Sequence, residues 1–145
     1  MMIITITGKT CSGKTTAANH LKRFDAKVIN ADKIGHELLK VDKIQYRLFK
    51  LFTTNILKDR SKIDRKLLAK LVFKNKGNLK KLNKVIHPYL VKDIRSALVK
   101  DRTNVVDAAL YYELKLNQIS DYVILMKTKR LTCSARLKDG FRDRV

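Results

Sequence analysis

The sequence predicts an α/β fold of three layers, with helices packed on both faces of a parallel β-sheet. Three observations lead there. Met2–Thr7 is a continuous apolar and β-branched run, the pattern of a strand buried on both faces. Shorter apolar runs follow at Lys27–Ile29, Thr103–Asp107 and Asp121–Met126. The stretches between them carry helical periodicity, and strands alternating with helices assemble into a parallel sheet with right-handed crossovers.

Taken in order, the first strand runs straight into the glycine-containing segment Gly8–Thr15, and Thr15–Phe24 reads as a helix. The second strand is Lys27–Ile29. From about residue 31 to residue 100 the pattern is helical, with breaks near Lys40–Asp42, Asp59–Ser61 and Lys74–Asn78. Leu67, Leu68, Leu71 and Val72 share one helical face, and Leu79, Leu82, Val85, Ile86 and Leu90 share another. This block, inserted between the second and third strands, is the expected substrate-binding region. Two more strands close the sheet, and Leu131–Lys138 reads as the start of a further helix. The whole, residues 1–145, is expected to form one domain without linker, repeat or low-complexity tract.

Composition narrows the class. The 145 residues are 45% hydrophobic and 32% charged, enough apolar material for one real core. No stretch reaches the ~18 consecutive apolar residues of a membrane helix. Met1–Ile6 lacks a basic leader and reads as a strand, not a signal peptide. The two cysteines, Cys11 and Cys133, make no disulfide framework, which favours a reducing cytoplasm. Lys and Arg number 33 against 13 Asp and Glu, a net charge of +20. Such a field attracts anionic substrates. The lysines are scattered and not interleaved with aromatics in a stripe, so nucleic acid is not an expected partner.

The chemistry begins at Gly8-Lys9-Thr10-Cys11-Ser12-Gly13-Lys14-Thr15, which fits the phosphate-loop pattern G-x-x-x-x-G-K-[ST] in full, after a strand and before a helix. Gly8 and Gly13 permit a turn whose N–H groups point inward at phosphates, and the helix N-terminus adds a field favourable to negative charge. Lys14 suits the β- and γ-phosphates, and the Thr15 hydroxyl suits Mg²⁺. Residues 8–15 together with Thr16 are therefore the expected ATP-binding set, and ATP and Mg²⁺ the expected cofactors.

Two carboxylates stand out. Asp107 closes the third strand, where a P-loop protein keeps an acidic residue near Mg²⁺; an ordinary turn residue would look the same. Asp32 follows the second strand. Asn30 or Asp32 at that point suits a helix cap, and Asp32 equally suits a general base that takes the proton of an attacking hydroxyl.

Four further segments, with the P-loop, resemble the dephospho-coenzyme A kinases. Val28-Ile29-Asn30-Ala31-Asp32-Lys33-Ile34 resembles that family's V-I-D-A-D-x-I segment. Ile63-Asp64-Arg65 with Leu68 and Val72-Phe73 resembles its D-R-x-x-L…V-F helix. Leu82-Asn83-Lys84-Val85-Ile86-His87-Pro88 resembles its L-N-x-I-x-H-P segment, and Val105-Val106-Asp107 with Leu110 and Glu113 its V-x-D-x-P-L-L-x-E strand end. Adenylate and shikimate kinases share the P-loop but lack the D-R and H-P pieces. The resemblance implies a P-loop kinase fold and transfer of the ATP γ-phosphate to the ribose 3′-hydroxyl of dephospho-coenzyme A. It makes Asp32 the candidate base and Arg65, His87, Leu110 and Tyr112 candidate acceptor-binding residues. By residue chemistry alone, Arg65 also suits a surface ion pair and His87 a helix cap or core position, while Tyr111 and Tyr112 suit the acceptor pocket and a core equally.

The chain departs from the family pattern in three places. Asn30 stands where the family has its first Asp, and Ala109 where it has Pro; neither removes a group the chemistry requires. The family continues past the equivalent of Val145 through an arginine-rich lid, another strand and a final helix. The resemblance therefore implies only a partial lid at about residues 128–145. Arg130, Arg136, Arg142 and Arg144 are its candidate arginines, and Arg136 is the best match for a catalytic one. Two alternatives stand beside this reading: another small-molecule or nucleoside kinase, and a truncated nucleotide-binding module that uses its charge to bind RNA.

Overall fold

The computed structural model describes residues 1–52, 56–58 and 62–127. Arg130, Arg136, Arg142 and Arg144, the helix expected at Leu131–Lys138 and the partial lid lie outside the described residues. The described residues divide into two compact units, those within 1–32 and 94–127, and those within 33–93.

The first unit is built on four parallel strands: β1 (Met2–Gly8), β2 (Lys27–Asn30), β5 (Thr103–Asp107) and β6 (Tyr122–Met126), in the order β2-β5-β1-β6. The continuous apolar runs are thus parallel strands, as their pattern predicts. In β1 and β5, Ile3, Ile6, Val105 and Val106 are all buried. Helix α1 (Lys14–Leu21) covers the sheet through Ala18, which packs with Ile6 and Val105. At Leu21 it gives way to a 3₁₀ turn, Lys22–Phe24, closed by Asp25 in the left-handed conformation (φ 57). β6 differs from its neighbours: Tyr122, Val123, Ile124 and Leu125 are all exposed.

The entry to β5 is fixed by Asn104, which is fully buried. Its Oδ1 accepts from Val99 N (2.9 Å), and its Nδ2 donates to Val99 O (2.9 Å) and Arg102 O (3.2 Å). A buried amide must find such partners, and here it ties the preceding turn to the strand. At the start of β6, the Asp121 carboxylate accepts from Ile3 N (2.7 Å) while Asp121 N donates to Ile3 O (2.8 Å).

Register places the functional end of the sheet. Asn30 pairs with Asp107 across β2 and β5, Ile6 with Asp107 across β1 and β5, and Gly8 with Met126 across β1 and β6. The carboxyl ends of the strands therefore finish level with one another, the edge at which open α/β sheets bind ligands.

The second unit holds α3 (Asp42–Phe52) and α4 (Arg65–Lys74), with most of α2 (Ala31–Leu38) and of α5 (Lys76–Ser96). On three of its helices the buried residues recur every fourth position: Ile44, Leu48 and Phe52 on α3, Leu68 and Val72 on α4, Ile86 and Leu90 on α5. Each such side chain contributes about 1.5–3 kcal/mol when fully buried. Of the α4 face expected from the sequence, Leu68 and Val72 are buried, whereas Leu67 is 41% exposed.

This block is not helical throughout. Between α3 and α4, β3 (Leu57–Lys58) and β4 (Lys62–Ile63) pair antiparallel, Leu57 with Ile63 and Lys58 with Lys62. Two-residue strands are too short to show a period of two, and so leave no pattern to read. Pro88 sits inside α5, where it has no N–H to offer the Lys84 carbonyl.

Candidate active site

The P-loop forms as its residue types require. Gly8 has φ 147 and Gly13 has φ 87. A Cβ on Gly8 would lie 2.3 Å from the Met126 carbonyl oxygen and 2.9 Å from Ser12 Oγ, so the close approach of β1 to β6 demands glycine twice over, for backbone angle and for space. Cys11 also takes the left-handed conformation, φ 64, without being glycine. Ser12 N donates to Lys9 O (3.2 Å), closing the turn.

Inside this loop Lys14 is buried, and its Nζ donates to Lys9 O at 2.8 Å. The loop's own carbonyl thus holds the ammonium at the start of α1. Cys11, Gly13, Lys14, Thr15 and Thr16 line a cleft there. Ser12 Oγ is buried without a hydrogen-bond partner among the described residues. An orphan hydroxyl of this kind costs about 1–3 kcal/mol, and the oxygen of a bound ligand would satisfy it.

The acidic side of the site is a three-residue cluster. Thr15 Oγ1 donates to Asp107 Oδ2 at 2.6 Å, and Asn30 Nδ2 donates to the same oxygen at 3.0 Å. Asp107 is buried at the end of β5. This arrangement fits Mg²⁺, a hard cation that takes oxygen ligands and usually keeps several waters, with few protein contacts and the rest from phosphate. Thr15 and Asp107 present a hydroxyl and a carboxylate side by side, and among the described residues no group of three or more His, Cys, Asp or Glu converges to hold a metal, at this site or away from it.

The remaining candidates are placed as follows. Asp32 lies in the first turn of α2 and is exposed, where its charge complements the helix N-terminus. Leu110 and Tyr112 lie beyond β5 and are exposed at 39% and 79%, whereas Tyr111 is buried and meets Tyr112 edge-on at 5.0 Å. The two tyrosines therefore divide the roles that the sequence left open: Tyr111 is core and Tyr112 is surface.

Arg65 and His87 belong to the second unit. Arg65 is exposed at the first position of α4, directly after Asp64, whose side chain caps the helix by accepting from Lys66 N (2.7 Å) and Leu67 N (3.1 Å). His87 is half-buried in the middle of α5, which excludes a capping role.

Sequence reasoning passes over Asn30 as an inconsequential replacement and does not foresee the orphaned Ser12 hydroxyl. A signal for Asn30 exists: it sits two residues before Asp32 at the carboxyl end of a strand. Only the pairing of β2 with β5 reveals that Asp107 is its neighbour.

Along most of its length the chain is similar to known proteins of one family. The family model for dephospho-CoA kinase matches residues 2–138. A dephospho-CoA kinase from Borreliella burgdorferi is 34% identical over 139 residues, covering 94% of this chain and 67% of that protein. One from Fusobacterium nucleatum is 33% identical over 128 residues, covering 87% of this chain and 66% of that protein. The chain thus spans about two thirds of the length of these relatives. Among solved structures, a dephospho-CoA kinase from Campylobacter jejuni aligns with a TM-score of 0.60 at 22% identity, over 94% of this chain and 96% of that one; at that identity the likeness speaks for the fold. On the family match and these relatives, the chain belongs to the dephospho-CoA kinase family, ATP- and Mg²⁺-dependent phosphotransferases of coenzyme A synthesis.

Proposed function

We propose that this chain phosphorylates the ribose 3′-hydroxyl of dephospho-coenzyme A with the residues of its P-loop edge, and that the assignment of roles is as follows. The observation that carries it is the 2.6 Å contact between the Thr15 hydroxyl and the Asp107 carboxylate at the mouth of a complete P-loop.

Residues 8–16 hold the triphosphate, with backbone N–H groups and the Lys14 ammonium as donors. Lys14 exchanges its hydrogen bond to the neutral Lys9 carbonyl for one to an anionic phosphate oxygen, in which both partners are charged. Thr15 and Asp107 hold Mg²⁺, which when bound neutralises the charge that develops on the transferring phosphoryl group. Asp32, exposed at the carboxyl end of β2, accepts the proton of the acceptor hydroxyl and orients its oxygen for in-line attack.

Arg65 and His87 take part in acceptor binding, with Leu110 and Tyr112 as apolar and aromatic contacts; the family resemblance of their segments supports this. Arg136 is the arginine proposed to steady the transferring group. The excess of 20 positive charges serves as a field for polyanionic small molecules, with the cytoplasm as the compartment. No helix among the described residues is long and apolar enough to cross a membrane.

The test is direct. The purified chain is incubated with ATP, Mg²⁺ and dephospho-coenzyme A, and coenzyme A is detected by mass. Product is expected from the wild type and not from Lys14→Ala. Asp32→Asn should lower kcat by roughly 10²–10⁴-fold, the usual worth of a general base, with the KM for ATP little changed. Mg²⁺-dependent ATP binding without product would defeat the kinase assignment for this chain and leave a nucleotide-binding module.

A further inference from the structure

The Asp107 carboxylate receives two hydrogen bonds, both on Oδ2, one from Thr15 and one from Asn30. Among the described residues nothing donates to Oδ1. An ionised carboxylate only accepts, so Asn30 must present its amide N–H₂, and that donor fixes the rotation of the carboxyl group about its last bond. The family pattern has a carboxylate at position 30, which has no proton to donate when ionised.

We infer that Asn30 is a positioning residue for the metal site: its neutral amide pins Oδ2 of Asp107 and leaves Oδ1 as the carboxylate oxygen that would take the metal. Backbone register supports this independently, because Asn30 and Asp107 are directly paired across β2 and β5. The amide therefore approaches from a rigid strand and not from a loop, and strands hold a site more precisely. Asn30 also sets the site's charge. With Asp at position 30, two carboxylates would stand about 3 Å apart. They would repel one another and any polyphosphate until a divalent cation arrived. With Asn, the cluster carries a single negative charge, and nucleotide binding becomes less dependent on the cation. The inference rests on the assignment of Thr15 and Asp107 to Mg²⁺.

The experiment measures binding, not turnover. A fluorescent ADP analogue is titrated onto the full chain in EDTA and again across a series of Mn²⁺ concentrations, with bound Mn²⁺ counted by electron paramagnetic resonance. Asn30→Ala is expected to raise the half-saturating Mn²⁺ concentration about tenfold, the effect of losing one hydrogen bond to a charged group, and to leave affinity in EDTA within about twofold. Unchanged Mn²⁺ dependence, or an equal loss in EDTA, overturns the inference, because a merely structural role would weaken both alike.

Asn30→Asp keeps the side chain's shape and serves if the alanine variant does not fold. It is expected to weaken binding in EDTA and to widen the ratio between the EDTA and Mn²⁺ affinities at least about fivefold; an unchanged ratio overturns the charge argument. Asp107→Ala separates the two levels. It should abolish the Mn²⁺ effect, and if it does not, the metal assignment itself fails and the inference falls with it. If it does while Asn30→Ala changes nothing, only the role of Asn30 fails.

Discussion

Gly8 is the position at which one methyl group does most harm. Its φ of 147 is costly for any side chain, and its Cβ would meet the Met126 carbonyl at 2.3 Å, a backbone atom that cannot swing aside. Strain and overpacking together cost roughly 3 kcal/mol, so Gly8→Ala should lower the denaturant midpoint sharply and abolish nucleotide binding. A variant with wild-type stability would show that β1 and β6 separate more easily than their pairing implies. Gly8, Gly13, Lys14 and Thr15 are legible in the sequence through the P-loop pattern, because that chemistry depends on near neighbours in the chain. Cys11 at φ 64 and the orphaned Ser12 hydroxyl are not, since the pattern leaves those places open. Nor is the tie from Asn30 to Asp107, 77 residues away, which exists only through strand pairing.

At the scale of the elements, the Asp-Arg pair that opens α4 separates structure from chemistry. Asp64 accepts from two backbone N–H groups in the first turn, the work of an N-cap, whereas Arg65 projects from an exposed first position. Asp64→Ala should therefore cost about 1 kcal/mol of stability, and Asp64→Asn, which keeps the acceptor oxygen, should cost little and preserve activity. Comparable loss of activity in both variants at intact stability would mean that the Asp64 charge is used chemically. Asn104 presents the opposite case. No motif marks it, yet Asn104→Ala would remove the three hydrogen bonds that tie the exposed turn at Val99 and Arg102 to the strand, at about 0.5–1.5 kcal/mol for each. Melting temperature is the measure, and a shift of less than about 2 °C would contradict it. The long strands and helices are legible because burial stamps its period on the sequence along their length. The β3–β4 pair is not, because its two-residue strands carry no period at all.

Over the whole molecule the governing quantity is charge. Even if each of the 13 acidic residues took one basic partner, 20 of the 33 cations would remain unmatched. The ion pairs Lys40–Glu37 (2.8 Å) and Arg102–Asp25 (3.1 Å) are themselves exposed and so contribute little. Self-repulsion of the unmatched charge destabilises the folded chain, and salt relieves it: the screening length falls from about 30 Å at 0.01 M to about 10 Å at 0.1 M. Raising sodium chloride from about 0.01 to 0.3 M should therefore raise the melting temperature by several degrees, since about 1 kcal/mol corresponds to roughly 2–4 °C at this size. The same salt should weaken ATP binding, because the field that burdens the fold also attracts the anion. The two responses have opposite signs and one origin, so measuring both on one preparation tests the origin. If stability fell with salt, local ion pairing would outweigh the net charge. If ATP affinity stayed constant, the P-loop alone would hold the nucleotide, and the scattered lysines would have no part in drawing it in.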